Sequence, residues 1–422
     1  MLITMYGACK EVGRSGLLIE EDNKRVVCDY GVLIETDGLY YPLPIDTKVH
    51  SIILSHAHLD HSGALPKVFL NNMPKVYMTP PTQALSDLLI DDAFKVAKRK
   101  KRKLPFEKKH FKYLIDNTRI IPYNKRQEIE GFEIEFYNAG HIPGSAMTLI
   151  EGKRTVCYSG DFKTEETRLH NPADVPNKKV DALIIETTYG GRDHPDRKEL
   201  ENSFYDACLE VLTKGGNVIV PVFAVGRAQE ILEILRDIGY PIYMDGMAVH
   251  ATEIILDYPE YIKNYKELYK ATTNAIMVRN PKIRKQVMKE PSIVITTGGM
   301  LQGGPVIEYL YQAVKRPKDT AIFLTGFQKE DTPGRELMLY KTATIEGETL
   351  DFRKHWVEYF DFSAHVGRDG LEKTVKKMDP NVVILNHGDL DQMLAFAEWL
   401  NDQGYNYVIP DAGQTIDVDK YC

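Results

Sequence analysis

The sequence contains little cysteine, little tryptophan and no excess of positive charge. Its 422 residues include five cysteines and two tryptophans, and its formal net charge is −7. An odd number of widely separated cysteines predicts neither a disulfide framework nor a zinc ribbon, and it suits a reducing cytosol. The acidic balance argues, by itself, against nucleic acid as a partner.

Long apolar runs and targeting signals are also missing. No apolar run approaches the ~20 residues that a bilayer-spanning helix needs. Residues 1–7 lack the basic region and the cleavable apolar core of a secretory signal. We therefore expect a cytoplasmic protein with no membrane partner. The chain is longer than one hydrophobic core usually organises, so its length predicts two domains.

Short apolar runs alternate with helical patterns along the chain, which predicts an α/β protein. Helices are expected near residues 82–101 and 227–235. In the middle of the chain, short buried-type strands joined by helices are typical of a parallel sheet flanked by helices. The strand-like runs are 26–28, 51–54, 132–136, 147–150, 181–185, 217–220, 292–295, 321–324, 382–385 and 407–409.

The most informative motif directly follows the apolar run 51–54. The segment His56-Ala57-His58-Leu59-Asp60-His61 places four metal-capable side chains within six positions. Imidazole nitrogen and carboxylate oxygen are ligands of borderline-soft ions such as zinc, and imidazole is neutral at working pH. This spacing predicts a metal site.

Three further candidate ligands follow other predicted strands. His141 comes after the run 132–136, Asp161 follows Tyr158-Ser159-Gly160, and His387 follows the run 382–385. Each of them alone could be a hydrogen-bonded loop residue. Together with the first motif they suit two adjacent metals bridged by a carboxylate and a hydroxide.

These residues and their order resemble the five motifs of the metallo-β-lactamase superfamily. Further segments resemble its β-CASP branch, which acts on nucleic acids, and the likeness covers essentially the whole chain. The superfamily motifs are Asp29, His56 to His61, His141, Asp161 and His387. The β-CASP motifs are Glu186 in Ile184–Gly190, His365 in Phe362–His365, His387 in Asn386–Gly388, and the segments Pro221–Glu230, Gly326–Gln328 and Gly334-Arg335.

The resemblance implies an αββα sandwich interrupted by an α/β β-CASP domain with a parallel sheet. The first part of the metallo-β-lactamase domain is expected at residues 1–186, the inserted β-CASP domain at 187–354, and the C-terminal return at 355–422. The segment Gly7–Ser15 looks like the cleavage and polyadenylation specificity factor type. The chain carries no KH domains, so it resembles the shorter archaeal form of that type.

By the same resemblance the site holds two Zn²⁺ ions. One ion is expected on His56, His58 and His141, the second on Asp60, His61 and His387, and Asp161 is expected to bridge them. Asp29 would orient a ligand imidazole. His365 is the candidate general acid, and Glu186 would supply the anion that raises its pKa. Asp60 counts among the candidate catalytic residues as well as among the metal ligands.

A basic segment is the main candidate for substrate binding. Ten Lys or Arg residues lie from Lys95 to Lys112, with Phe106 and Phe111 between them and Tyr113 directly after them. Such a segment can neutralise phosphates and stack bases, or it can be a solvated helix face, and the resemblance favours RNA. The residues 298–304 could present N–H groups to phosphates or form plain turns. Candidate RNA contacts are Lys98, Arg99, Lys101, Arg102, Arg227, Gly299, Arg335 and Ser363.

The predicted function is a zinc-dependent ribonuclease that acts on single-stranded RNA in RNA processing or decay. Endonuclease and 5′-to-3′ exonuclease activity stay open, and relatives suggest a homodimer. The alternatives are a DNA nuclease, against which His387 speaks, and a catalytically weak RNA-binding scaffold of a processing complex. A small-molecule thioesterase or lactamase would not need the second domain. Asp389 stands where the family usually has Glu, which leaves its effect on rate open.

Overall fold

In this computed structural model the chain folds into two units, and each unit has its own sheets and hydrophobic core. The structure describes residues 1–317 and 319–422. The first unit comprises Met1–Glu166, Pro172–Asp193 and His365–Cys422, and the second comprises Thr167–Asn171 and His194–Ala364.

Two seven-stranded sheets form the first unit, and both are part antiparallel and part parallel. In order across the first sheet, the strands are Thr415–Asp417, Leu2–Gly7, Gly16–Glu21, Lys24–Tyr30, Ser51–Ile53, Lys75–Met78 and Thr118–Ile120. Those of the second sheet are Tyr407–Val408, Val382–Asn386, Ala182–Glu186, Thr155–Tyr158, Ala146–Glu151, Phe132–Asn138 and Gln127–Ile129. A separate small hairpin pairs Leu33–Ile34 with Leu39–Tyr40.

Alternation along these strands explains the layers of the first unit. Successive side chains of a strand point to opposite faces of the sheet. Ile3 and Val26 from the first sheet therefore share one buried cluster with Ile134 and Ile184 from the second sheet. The opposite face of each sheet is covered by helices. The result is a helix–sheet–sheet–helix sandwich.

The helices of the first unit are capped by local sequence. Pro80–Arg99 begins with proline, which lacks the N–H that a helix start leaves unpaired, and the Thr79 hydroxyl accepts a bond from the Thr82 N–H. The α-helices are Leu59–Ser62, Leu65–Val68, Pro80–Arg99, Lys108–Asn117, Arg368–Met378 and Leu390–Asp402, and a 3₁₀ helix spans Val418–Tyr421.

The second unit contains a six-stranded sheet in which all the strands run parallel. In order across the sheet, its strands are Ile276–Val278, Ile242–Asp245, Ser292–Thr297, Asn217–Val222, Thr320–Leu324 and Trp356–Tyr359. Strands buried on both faces read as continuous apolar runs, and Asn217–Val222 is buried at every position.

Helices cover both faces of this parallel sheet and enclose one apolar cluster on each side. The α-helices are Arg197–Thr213, Arg227–Leu235, Met247–Leu256, Tyr265–Asn274, Pro281–Val287, Val306–Val314 and Pro333–Tyr340, and a 3₁₀ helix spans Pro259–Tyr261. A hairpin pairs Thr342–Ile345 with Glu348–Asp351.

The predicted α/β sandwich with a parallel-sheet insertion is confirmed, but the boundaries of the insertion differ from the predicted residues 187 and 354. The second unit begins its main segment at His194 and extends to Ala364. The strand Trp356–Tyr359 belongs to it, because this strand pairs in parallel with Thr320–Leu324. In the described part of the chain, no helix combines the length and the apolar character that crossing a membrane requires.

Glu233 is a buried acid in the second unit. It lies in the helix Arg227–Leu235 with 2% of its surface exposed. Among the described residues, neither of its carboxylate oxygens has a hydrogen-bond partner. Burial, and after it the nearby Glu230, raise the pKa of Glu233 to about 8. The neutral carboxyl therefore favours the folded state below pH 4.5, its ordinary pKa, and this advantage is lost as the pH rises towards 8.

We predict that Glu233→Gln removes this pH dependence, because the amide does not ionise. Relative to the native chain, the variant should gain at least about 1.4 kcal/mol in unfolding free energy between pH 4.5 and pH 8, the equivalent of one pKa unit. Urea unfolding followed by circular dichroism at a series of pH values measures the difference. Glu210→Gln, at an acid that is 52% exposed and paired with Lys214, is the matched control and should show no such change. Parallel pH curves for Glu233→Gln and the native chain would contradict the prediction.

Candidate metal centre

The first group of metal-capable side chains surrounds Asp161. His56, His58, His141 and Asp161 bring one ligand atom each within 4.8 Å of one another. Asp161 Oδ2 lies 3.5 Å from His56 Nε2 and 3.8 Å from His141 Nε2. His141 Nε2 is 3.1 Å from His58 Nδ1. The structure therefore brings together the three imidazoles that were predicted to share one ion.

The second group shares the same carboxylate. Asp60, His61, Asp161 and His387 also bring one ligand atom each within 4.8 Å of one another. His61 Nε2 is 3.3 Å from Asp161 Oδ2, and His387 Nδ1 is 3.3 Å from Asp161 Oδ1. His387 Nε2 is 3.4 Å from Asp60 Oδ2. Asp161 alone belongs to both groups, as a bridging carboxylate would.

These side chains converge because most of them follow the end of a strand in one of the two sheets of the first unit. His56 and His58 follow Ser51–Ile53, and the helix Leu59–Ser62 then carries Asp60 and His61. The other ligands come from loops after strands of the second sheet: His141 after Phe132–Asn138, Asp161 after Thr155–Tyr158 and His387 after Val382–Asn386.

The backbone at two of the site residues is strained. Asp29 and His387 have φ values of 56° and 48°, a region that costs energy for residues other than glycine and that clusters at functional sites. The N–H of His387 donates to the Ala8 carbonyl at 2.9 Å, which helps to hold this conformation. The neighbouring Gly388 is required for space, because a Cβ there would lie 2.5 Å from the Thr187 carbonyl oxygen.

The donor atoms suit a metal ion. Among the described residues, His56 Nε2, His58 Nε2, His387 Nε2 and Asp161 Oδ1 are buried and have no hydrogen-bond partner. Buried polar atoms are normally hydrogen-bonded, so a concentration of unpaired ones in one place needs a reason. Imidazole and carboxylate are the ligands of zinc and related ions, and bound cations would give such unpaired ligand atoms their partners.

The protonation of the imidazoles fits the same interpretation. Burial lowers the pKa values of His56 and His58, which keeps their rings neutral, as metal ligation requires. Burial also acts to lower the pKa of His61, but the carboxylates of Asp161 and Asp29 outweigh it and raise that pKa well above its usual value. The two carboxylates thus stabilise positive charge at this position.

Asp29 fixes the orientation of His61. Its Oδ2 accepts from His61 Nδ1 at 2.7 Å, from the Tyr158 hydroxyl at 2.7 Å and from the Ser55 hydroxyl at 2.6 Å. Its Oδ1 accepts from the Ser55 N–H at 2.7 Å. This geometry is the one expected of a residue that orients a ligand imidazole, with Nδ1 of His61 held by Asp29 and Nε2 aimed at Asp161.

Glu186 and His365 form a pair beside the metal-capable residues. His365 Nδ1 lies 2.9 Å from Glu186 Oε2, while Glu186 Oε1 accepts the Phe162 N–H at 2.8 Å. The His365 ring is 4.8 Å from that of His141, and its side chain is 18% exposed. Burial lowers the pKa of His365, but Glu186 and Asp161 outweigh it and raise that pKa to about 9. The imidazolium form that a proton donor needs is therefore favoured.

The basic segment of the first unit is exposed, but its aromatic residues are not. Lys98, Arg99 and Lys101 are exposed, at and just after the end of the helix Pro80–Arg99. The expectation that Phe106 and Phe111 stack bases is wrong. Both side chains are less than a tenth exposed, and both pack against Phe94 with ring centroids 5.7 Å and 6.1 Å away. They pack into the core, whereas Tyr113 is half-buried, and RNA binding by the cations of this segment stays a prediction.

Arg102 is half-buried, and its guanidinium reaches the Thr36 carbonyl at 3.5 Å. Its role in RNA binding stays a prediction, as do those of Lys98, Arg99 and Lys101.

The candidate RNA contacts of the second unit are mostly covered. Arg227 is 7% exposed, forms an ion pair with Glu230 and lies over the Phe362 ring at 5.9 Å. Ser363 is 8% exposed, and Arg335, in the helix Pro333–Tyr340, is half-buried. The sequence could not reveal the burial of Arg227, because it depends on packing against residues distant in the chain, such as Phe362. All three contacts stay predictions.

The glycine-rich segment 298–304 is a turn between the strand Ser292–Thr297 and the helix Val306–Val314. The Leu301 N–H donates to the Gly298 carbonyl at 2.8 Å, and the Gly299 carbonyl accepts from Gln328 Nε2 at 2.9 Å. Gly299 is itself buried. These bonds give the plain-turn alternative direct support, and contact of Gly299 with a phosphate stays a prediction.

Several residues around the site were not recognised in the sequence. The Ser15 hydroxyl is 3.3 Å from His61 Nε2, the Thr188 hydroxyl is 3.3 Å from His387 Nδ1, and the Tyr158 hydroxyl bonds Asp29. Buried Lys163 is a further one. Proximity to the motifs is the one available signal, since Thr188 follows Glu186 by two positions and Lys163 follows Asp161 by two.

Known families match almost every part of the chain. A profile described as the anti-Pycsar protein Apyc1 matches residues 2–192. The Beta-Casp domain matches residues 228–337, and the Zn-dependent metallo-hydrolase RNA specificity domain matches residues 351–410.

Curated relatives match over nearly the full length of the chain. The chain is 38% identical to Probable RNase MJ4 of Methanocaldococcus jannaschii, over 99% of this chain and 100% of that protein. It is 35% identical to RNase aCSPSF2 of Saccharolobus solfataricus, over 98% of this chain and 85% of the relative. Transcription termination factor FttA of M. jannaschii is 32% identical over 94% of this chain and 68% of its own length.

A solved structure shares the fold at low sequence identity. A protein of unknown function from Enterococcus faecalis V583 superposes with a TM-score of 0.62 and 13% identity, over 98% of this chain and 99% of that one. Full-length relatives and domain profiles lead to the same assignment. The chain belongs to the β-CASP branch of the metallo-β-lactamase superfamily.

Proposed function

We propose that this chain is a two-zinc ribonuclease that hydrolyses phosphodiester bonds of single-stranded RNA in RNA processing or decay. The observation that carries the proposal is the buried Asp161 carboxylate, shared by two groups of metal-capable side chains beside the Glu186–His365 pair. The relatives named as ribonucleases and the RNA specificity profile support RNA as the substrate. The homodimer stays a prediction.

The proposed division of the ligands follows the two groups. His56, His58 and His141 would hold one ion, Asp60, His61 and His387 the other, and Asp161 would contact both. The ions would supply a water with a lowered pKa and positive charge opposite the phosphoryl oxygens. The protein itself contributes the orientation of a ligand, because Asp29 holds Nδ1 of His61 at 2.7 Å and so leaves Nε2 for an ion.

His365 is the proposed proton donor to the leaving 3′ oxygen. Glu186 occupies its Nδ1, so the proton to be transferred sits on Nε2. The raised pKa keeps that proton in place at neutral pH until the 3′ oxygen develops negative charge. Glu186 then acts by positioning His365 and by stabilising its charged form.

The alternatives differ in what they require. A catalytically silent scaffold would not need its metal-capable side chains, yet here they are all present and together. A DNA nuclease is not favoured by the names of the relatives, which include ribonucleases. Asp389, the departure from the usual Glu, is exposed at the start of the helix Leu390–Asp402. Its negative charge there interacts favourably with the helix dipole.

The first test is cleavage of end-labelled RNA and of DNA of the same sequence by the zinc-loaded chain. We expect the RNA to be cut and the DNA to be spared, and His387→Ala to abolish cleavage because it removes a ligand. Parallel RNAs with 5′-monophosphate and 5′-triphosphate ends decide the direction. Internal fragments indicate an endonuclease, and stepwise mononucleotide release indicates a 5′-to-3′ exonuclease. Equal cleavage of DNA, or RNA binding without cleavage, would contradict the proposal.

Replacing His365 with Ala tests the proton donor. The variant should retain its zinc, since the proposed ligands are intact, while the kcat for RNA should fall by about 10²- to 10⁴-fold. Bis(p-nitrophenyl) phosphate should be hydrolysed at nearly the native rate, because nitrophenolate leaves without a proton. His250→Ala, at a histidine that is 63% exposed in the second unit, is the control. Full RNA cleavage by His365→Ala would remove this residue from the mechanism.

Replacing Asp29 with Asn tests the orientation of His61. The amide keeps the shape of the carboxylate but cannot accept all four bonds as a charged group, so zinc should be held about 10- to 100-fold more weakly. Competition with a chromogenic chelator, without any substrate, measures this affinity. Asp22→Asn, at an aspartate that is 67% exposed and paired with Lys153, should leave zinc affinity unchanged. The same affinity in Asp29→Asn and the native chain would exclude Asp29 from metal binding.

A further inference from the structure

Lys163 is a buried lysine beside the candidate metal centre. Its side chain is 2% exposed, although lysine is among the residues least often fully buried. Its Nζ donates to Glu165 Oε2 at 2.6 Å and to the His365 carbonyl at 3.3 Å. The Glu165 side chain is 48% exposed, and a pair with so exposed a partner gains little stability. The pair with Glu165 therefore does not account for the burial of Lys163, and the bond to the His365 carbonyl needs an explanation of its own.

This bond gives His365 an anchor at its main chain. The side chain of His365 is held through Nδ1 by Glu186 at 2.9 Å, and its main-chain carbonyl is held by Lys163. Contacts of the ring do not by themselves fix the backbone from which the ring projects. With the carbonyl also held, the position of Nε2 relative to the neighbouring His141 ring, 4.8 Å away between centroids, is defined.

Lys163 is itself firmly placed. Its N–H donates to the Ala139 carbonyl at 2.9 Å, and its carbonyl accepts the Ala173 N–H at 2.7 Å. The two preceding residues also serve the site, since Asp161 carries the shared carboxylate and the Phe162 N–H donates to Glu186. Three consecutive residues thus fix the metal-capable carboxylate, the carboxylate that holds His365, and the main chain of His365.

We propose that Lys163 is a positioning residue for proton transfer, acting through its bond to the His365 carbonyl. The inference rests on the proposed function, because it assigns Lys163 a part in the step that His365 performs there. Reaction geometry that is loose by about 1 Å can cost on the order of 10²-fold in rate. Loss of the Lys163 bond should therefore slow the cleavage of the substrate whose leaving group needs a proton, and should not slow the cleavage of a substrate whose leaving group needs none.

The test compares two substrates in Lys163→Met, which keeps the length of the side chain but removes its donors. The kcat for RNA should fall at least about 10-fold, the KM for RNA should stay within about 2-fold, and zinc content by elemental analysis should equal that of the native chain. The kcat for bis(p-nitrophenyl) phosphate should also stay within about 2-fold, because its leaving group needs no proton. Lys153→Met, at a lysine that is 68% exposed and paired with Asp22, is the matched control and should leave both rates unchanged.

An unchanged kcat for RNA would overturn the inference. Equal losses of kcat on both substrates would also overturn it, because a merely structural role lowers both rates together. If Lys163→Met does not fold, Lys163→Gln is measured instead, since its shorter polar side chain cannot reach the same carbonyl, and the same outcomes apply. Absence of RNA cleavage by the native chain would contradict the proposed function and this inference together. An active native chain with the same ratio of the two rates in the variant would contradict this inference alone.

Discussion

The buried carboxylate of Asp161 is the constraint around which the first unit is organised. It is 2% exposed and lies 3.3 to 3.8 Å from the rings of His56, His61, His141 and His387. An unpaired charge in such a place costs several kcal/mol, so a cation must accompany it. The neutral imidazoles of His56 and His58 supply lone pairs but no charge, and His61 supplies charge only when it is protonated, a form that cannot ligate a metal. A metal ion answers both requirements, and the strained backbone at Asp29 and His387 fits a site held together by its surroundings.

The sandwich tolerates this cluster of buried polar groups because its stability comes from apolar packing in other parts of the unit. Ile3, Ile134, Ile184 and Ile384 meet between the two sheets in an apolar layer, and helices close the outer faces. The strand Val382–Asn386 lies between Ala182–Glu186 and Tyr407–Val408, all parallel. The C-terminal part of the chain is therefore built into the second sheet, which is how His387 comes to stand beside residues more than 200 positions earlier in the chain.

Buried charge is treated differently in the second unit. Arg227 there is neutralised within its own helix by Glu230, and Glu233 is kept neutral by its raised pKa. In the first unit, by contrast, the buried carboxylates stand among imidazoles whose unpaired nitrogens point to an ion. Pairing, neutralisation and metal binding are three ways of accommodating charge in a core.

The sequence by itself determined the metal-capable residues and the fold class. Closely spaced histidines after a strand have little structural use, and apolar periodicity is a local property that survives without coordinates. The tertiary structure decided what depends on distant partners. It put Phe106 into the core, extended the second unit to Ala364 through a strand pairing, and set Lys163 against the carbonyl of His365, 202 positions away. Burial and long-range hydrogen bonds produce no pattern among residues that are adjacent in the sequence, so no local pattern could have revealed them.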